Sequence, residues 1–311
     1  MMLLERFLPL LPFVWGHGGM VWPPIWQNSH PISLEEMWTN KVSSKPMVVD
    51  PRSGTNITEL LWLTDEAFLG GVGQSFKGTG GPITNDECEG RYKKECGKWS
   101  KTPWASPGRA PSLGGGCGIY GGHLNGCWEV DNRAPGSSCD GPGVGKYHLY
   151  AYGSAAVDIE FPNALTTEWV VGQPQEVAWS TGGGHRGGYT YRLCRMPEGG
   201  KKDLTEECFA SNVLKFSSHW TFIRRTWIPG HWDKIEQWDL TNGTYPEGSA
   251  WRHVPMLGEG AGDKYFLKDM VDVPSDLPLG EYVLSLRWDA VHPQVWVSCA
   301  NIRLVAAQPR K

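Results

Sequence analysis

Residues 281–304, EYVLSLRWDAVHPQVWVSCANIRL, decide the fold. Apolar and polar side chains alternate through 281–289 and again through 295–304, and a short segment containing Pro293 separates the two runs. A period of two sends successive side chains to opposite faces, so each run reads as a strand of an antiparallel sheet. Residues 155–161 (AAVDIEF), 176–180 (EVAWS) and 190–194 (TYRLC) carry the same pattern between Gly and Pro turns. The expected fold is all-β, an antiparallel sandwich of the immunoglobulin-like or fibronectin III-like kind with long loops. Short helices are expected at 33–39, where Glu36 holds the capping-box position behind Ser33, and at 204–213. The Trp-rich stretch 200–272, with Trp220, Trp227, Trp232, Trp238 and Trp251, lacks clean periodicity and reads as long loops with short strands.

Composition agrees. The chain has 40 Gly and 23 Pro among 311 residues, about one in five and below the roughly 25–30% that marks low-complexity sequence. It should therefore fold with many turns, and a long-helix bundle or coiled coil is excluded. Lys and Arg number 29 against 33 Asp and Glu, a net charge of −4 that argues against nucleic acid and anionic membrane as partners. Tryptophan, at 17, outnumbers both Phe at 9 and Tyr at 10. Such an excess fits an aromatic core or flat stacking surfaces for sugar rings, and composition does not separate the two.

Residues 1–16, MMLLERFLPLLPFVWG, carry Arg6, an apolar run from Phe7 to Trp15, and Val14 and Gly16 at small-residue cleavage positions. This is the pattern of a secretory signal peptide, so residues 17–311 are expected as one secreted, monomeric domain. No other apolar run approaches the roughly 18 residues of a membrane span. All eight cysteines follow the signal, and an even number in a secreted chain implies up to four disulfides. Cys117 with Cys127 and Cys194 with Cys208 would each close a short loop. Residues 100–145, dense in Gly, Pro and Ser with three cysteines, read as a disulfide-stapled excursion. Asn56-Ile-Thr and Asn242-Gly-Thr are glycosylation sequons.

Cleavage after Gly16 would leave His17 first, with an α-amino group and an imidazole able to chelate one metal ion together. The α-amine titrates well below Lys, so a metal displaces its proton easily. A second imidazole would complete a three-nitrogen plane of the kind copper(II) favours. His185 in TGGGHRGGYTYRLC (181–194) is a candidate for that second imidazole, presented between glycines that free the backbone beside a flat surface, or else an ordinary surface histidine in a Gly-rich turn. Alternation through 294–298 puts Gln294, Trp296 and Ser298 on one strand face. Trp296 would shield an axial position of the metal or fill the core, and the Gln294 amide would hydrogen-bond an oxygen species beside the metal.

HGGMVWPP from His17, GGGHRGGYTYRLC in mid-chain and PQVWVSCANIRL near the end occur in the order found in the lytic polysaccharide monooxygenases. The chain resembles auxiliary activity family 15 and related families. The resemblance implies a copper histidine brace of His17 and His185. It puts Trp296 at the axial position, where such enzymes usually carry Tyr or Phe, and Gln294 on the family's Gln. It also implies one copper ion per chain, an external electron donor with hydrogen peroxide or O2 as co-substrate, and oxidation at C1 or C4 of insoluble chitin or cellulose. Trp22 and Trp26, close to His17, would stack on sugar rings beside the metal or else pack inside.

Competing chemistries lack support. Glu35–Glu36, Glu206–Glu207 and Asp86–Glu87 give no spacing for a glycosidase carboxylate pair. No GxSxG, HExxH or GxxxxGK[ST] segment is present. His30, His123, His148, His219, His231, His253 and His292 show no short ligand spacing and read as surface polar residues. The rival from another class is a noncatalytic copper-binding or polysaccharide-binding protein of the same fold, which the unusual Trp296 keeps open.

Overall fold

The computed structural model describes residues 17–26, 63–64, 108, 114–120, 155–162, 164–182, 187–225, 232–242, 244–255, 264–289 and 295–308. Within these the chain is all-β, built on two five-stranded sheets. In space, the first runs β1 (His17–Trp22), β5 (Pro174–Gly182), β10 (Lys264–Asp272), β7 (Trp220–Arg225) and β8 (Asp233–Glu236). The second runs β4 (Thr166–Val170), β12 (Val295–Val305), β11 (Gly280–Asp289), β6 (Gly188–Arg195) and β9 (Arg252–His253). All neighbours are antiparallel except the parallel β12–β4 pair. A two-stranded ladder joins β2 (Leu63–Thr64) to β3 (Ile119–Tyr120).

Strand parity builds the core between the sheets. Val177, Trp179, Ile223, Leu267 and Val271 from the first sheet meet Tyr189, Tyr191, Leu284, Leu286, Trp288, Trp296 and Ile302 from the second, all buried. Each such side chain contributes about 1.5–3 kcal/mol on burial. The two strands expected at 281–289 and 295–304 are β11 and β12, paired in register from Gly280–Leu304 to Asp289–Val295. The segments 176–180 and 190–194 lie within β5 and β6.

Three expectations are corrected. Residues 155–161 do not form a strand: Ala156–Asp158 is a 3-10 turn, and Ala156, Val157 and Ile159 pack in a second cluster on the outer face of the second sheet. Their alternation serves a docked turn, held by Ala156 N–H donating to Gly118 O at 2.9 Å. The stretch 200–272 contains nine-residue β10, central in the first sheet, whose inward Asp269 breaks the apolar pattern. The helix expected at 204–213 is one short turn, α1 (Glu206–Ala210), with Thr205 Oγ1 accepting from Cys208 N–H at 3.2 Å. The helix expected at 33–39 lies outside the described residues.

Cysteine pairing is also revised. Cys194 joins Cys208 as expected, but Cys117 joins Cys299, 182 residues away. Cys299 faces outward on β12, and the 114–118 segment lies over it. Gly116 O accepts from Ser285 Oγ at 2.9 Å. The docking requires glycine: Gly116 has φ +83°, and a Cβ there would sit 2.4 Å from the Phe209 ring. Loop-closure entropy then ranks the two bridges. Removing Cys117–Cys299 by a double Cys→Ala change should cost about 5 kcal/mol and removing Cys194–Cys208 about 3. Denaturant titration of the two variants checks this, and equal losses would contradict it.

Candidate functional site

The ends of seven strands gather at one end of the sandwich. β1 begins at His17, which pairs with Gly182, the last residue of β5, while Lys264 pairs with Gly182 from the other side. The chain then crosses to the second sheet and resumes at Gly188, paired with both Asp289 and His253. Asp289 in turn pairs with Val295. The crossover 183–187 and the connection 290–294 therefore both leave from this end. His185 belongs to the first connection and Gln294 to the second, and both lie outside the described residues. The His17 backbone stands at the same end, and its side chain is outside the described set.

Trp296 is the second residue of β12, 1% exposed, and faces the inter-sheet core. Its ring stacks on Trp288 with centroids 5.9 Å apart, and Trp288 meets Trp179 at 5.3 Å. On the same strand face, Ser298 Oγ accepts from Met20 N–H at 3.0 Å. This bond ties β1 to β12 across the sandwich and sets Trp296, two residues nearer the site end, behind the first residues of β1. Trp296 thus fills the core at the level where the proposed metal ligand His17 begins the strand.

Trp26 is not a sugar platform. It is 4% exposed, its Nε1–H donates to Asn301 Oδ1 at 2.7 Å, and its ring lies 5.9 Å from Phe161. Trp22 pairs with Ala178, and its side chain packs with Ala178, Phe266 and Trp232 on the outer face of the first sheet. Five residues along β1 from His17, about 16 Å at strand rise, it belongs to the flank of the sandwich and not to a surface around His17.

The surface position expected for His253 is corrected by the structure. It is buried at the site end, opposite Gly188, and Val254 N–H donates to Gly187 O at 2.9 Å. Burial pushes the imidazole down to about 4, against a smaller upward pull from its hydrogen bond with the Gly187 backbone. Gly187, at φ +82°, ends the crossover that carries His185. A lone histidine beside Arg252 gave no sequence signal for this position.

Arg252, the residue before it in the chain, is fully enclosed between the sheets. Its Nη1 donates to Asp269 Oδ1 at 2.7 Å and Thr221 Oγ1 at 3.1 Å, its Nε to Asp239 Oδ1 at 3.1 Å, and its Nη2 to Ser218 O. Thr221 donates to Asp269 Oδ1 at 2.5 Å and accepts from Gln237 Nε2 at 3.0 Å. The Tyr189 hydroxyl donates to Asp269 Oδ2 at 2.8 Å, and burial, then the Asp269 charge, pushes that phenol well above its ordinary range.

Were residues 1–16 removed, the α-amine and imidazole of His17 with the imidazole of His185 would offer three nitrogens, a donor set of the kind copper(II) favours. Among the described residues no group of three or more His, Cys, Asp or Glu could hold a metal. No described helix is long and apolar enough to cross a membrane.

No protein-family model matches the chain, and no curated protein matches it in sequence. Among solved structures it is similar to an AA15 lytic polysaccharide monooxygenase from Thermobia domestica in the Cu(I) state. That match has 15% identity and a TM-score of 0.31, covering 47% of this chain and 66% of that one. It is also similar to the cellulose-active monooxygenase CelS2 in complex with copper, at 12% identity and TM-score 0.33, covering 94% and 100%. A chitin binding domain from Burkholderia pseudomallei matches at 15% identity and TM-score 0.27, covering 45% and 57%. The chain spans just under two thirds of the length of the Thermobia structure. The fold assignment rests on the sheet order and packing described above.

Two outcomes follow from the buried groups. Arg252→Met should cost about 3–5 kcal/mol by stranding Asp269, and adding Asp269→Leu should recover part of the loss in denaturant titrations. His253 binds a proton in the unfolded chain below its ordinary value of 6.5 but in the folded chain only near 4. Stability should therefore fall by about 3 kcal/mol as pH drops through that window. His253→Gln should flatten this part of the stability–pH curve, and an unchanged slope would refute the assignment.

Proposed function

We propose that the chain is a secreted, monomeric copper enzyme that oxidatively cleaves an insoluble polysaccharide, chitin or cellulose, with residues 17–311 as its single domain. The observation that carries this reading is the β1–β5 register. His17 pairs with Gly182, three residues before His185, so both proposed ligands belong to backbone that leaves the same strand pair at the same end. The match to copper monooxygenases and to a chitin binding domain among solved structures is of the same kind.

His17, once freed by removal of residues 1–16, would hold copper through its α-amino group and imidazole, and His185 through its imidazole. Bound copper would supply the one-electron chemistry that lets an external donor activate hydrogen peroxide or O2. The protein's part is positional. The Met20–Ser298 bond fixes β1, and Trp296 closes the core behind it and excludes water from that side. Gln294, on the segment leading into β12, would hold an oxygen species by its amide. An end surface, unlike a cleft, can reach a crystalline polymer, and the mild net charge favours neither nucleic acid nor an anionic membrane as partner.

N-terminal mass analysis of secreted protein should give His17 as the first residue. His17→Ala and His185→Ala should each weaken copper binding by more than about 100-fold, beyond the loss typical of outer partners. With copper, ascorbate and peroxide, the processed protein should release oxidised oligosaccharides from chitin or cellulose. Tight copper binding without oxidised products on a wide substrate panel would sink the enzymatic reading and leave a binding protein.

A further inference from the structure

The outer face of the first sheet carries aromatic rings that neither the core nor the proposed metal site uses. Trp220 on β7 and Trp238, two residues beyond β8, are each 39% exposed, and they are the two tryptophans among the large exposed apolar side chains of the described residues. Both are backed on one side by a polar group. Lys234 Nζ lies 3.8 Å from the Trp220 ring centroid, and the His219 ring lies 3.9 Å from that of Trp238 at 36°. Trp220 pairs with Glu236 and Phe222 with Lys234, so the rings alternate across the β7–β8 pair with a carboxylate and an ammonium. Further along the face, Lys268 Nζ lies 5.0 Å from the Phe222 ring and 5.5 Å from that of Trp232, and it pairs with Glu176 at 3.1 Å.

We propose that this flank, centred on Trp220 and Trp238, is a second binding surface for a neutral glycan, separate from the site end. It rests on the polysaccharide half of the proposed function and not on copper. A sugar ring has an apolar C–H face and a rim of hydroxyls, and this surface matches both. Indoles held by backing groups offer flat apolar area at small entropic cost. The lysines and glutamates between them can donate to and accept from hydroxyls. Lys234 and Lys268 are balanced by Glu176 and Glu236, which suits an uncharged polymer better than an acidic one. A second copy of the chain is disfavoured because Lys and Glu are depleted from the cores of protein interfaces, whereas here they sit beside the rings. Trp220 lies five residues from Arg225, the end of β7 nearest the site, about 16 Å at strand rise. A chain held on the flank would therefore anchor the protein without covering the site end.

Copper-stripped protein is tested for retention on microcrystalline cellulose and β-chitin and for retardation in gels containing hydroxyethyl cellulose. Trp220→Ala with Trp238→Ala should weaken retention by about tenfold, the sum of two stacking contacts. Trp220→Tyr with Trp238→Tyr should retain most of the binding. Both pairs should keep the unfolding midpoint and copper affinity of the parent. Equal retention of the Ala variant and the parent, or no retention of the parent on any of the three glycans, would overturn the proposal. Retention abolished by high salt would also overturn it, pointing to a charged partner. Release of oxidised oligosaccharides is measured separately, so failure of the flank leaves the proposed copper chemistry standing and the reverse holds equally.

Discussion

A guanidinium and a carboxylate, Arg252 and Asp269, meet at 2.7 Å with essentially no solvent on either. Removing two such charges from water costs several kcal/mol each, and mutual attraction offsets this only when the remaining donors and acceptors are satisfied. Here Thr221, Tyr189, Asp239 and the Ser218 carbonyl fill those positions, and the guanidinium lies 4.0 Å from the centroid of Phe216. Both sheets contribute. Asp269 and Thr221 come from β10 and β7 of the first, Tyr189 and Arg252 from β6 and β9 of the second. Apolar packing tolerates some sliding between layers, whereas directional bonds to one buried charge pair do not.

The site end inherits this constraint. Strand β9 has two residues and two pairings with β6, too few to persist alone. Arg252 anchors it, which fixes His253 against Gly187 and so fixes where the crossover bearing His185 rejoins the second sheet. On the opposite side, β1 is set by its ladder to β5 and by the Met20–Ser298 bond across the core. The two proposed ligands are thus held by different hardware. One depends on a buried ion pair, the other on a strand edge.

How far the sequence discloses this depends on what each residue must beat. Strands β11 and β12 were legible because both keep a period of two over nine or more residues and their inward set, from Leu284 to Ile302, is apolar except for Ser298. Strand β10 was not, because KYFLKDMVD places an aspartate on the inward face and its compensating arginine lies 17 residues away in a segment with no pattern of its own. Residues 155–161 alternate correctly, but among the described residues they carry no more than a single bridge, at Ala155, before the chain turns. Cys117 could have closed a ten-residue loop, yet the Gly-rich turn beside it docks on β12 and brings Cys299 within reach. His253 gave nothing to read, since burial of a lone histidine is decided by its tertiary neighbours. Glycine context and chain position, which are local, single out His17 and His185 as candidates in the sequence, whereas the burial of Trp26 depends on Asn301, Phe161 and Cys299, which are not local.

The tryptophan excess shows the same dependence in its sharpest form. Trp179, Trp288 and Trp296 fill the inter-sheet core, Trp26 the second cluster, while Trp220 faces solvent. In WTFIRR, strand β7, either parity gives an acceptable apolar face: Trp220 with Phe222, or Ile223 beside the small Thr221. Hydrophobicity alone favours burying the indole. A strand flipped in that way would turn Thr221 outward and remove a hydroxyl that donates to Asp269 and accepts from Gln237 and Arg252. Leaving a buried carboxylate short of a donor costs about as much as burying the larger side chain gains. The remaining bonds of the network then decide the register. The polar pair at the centre of the sandwich is what keeps Trp220 on its surface.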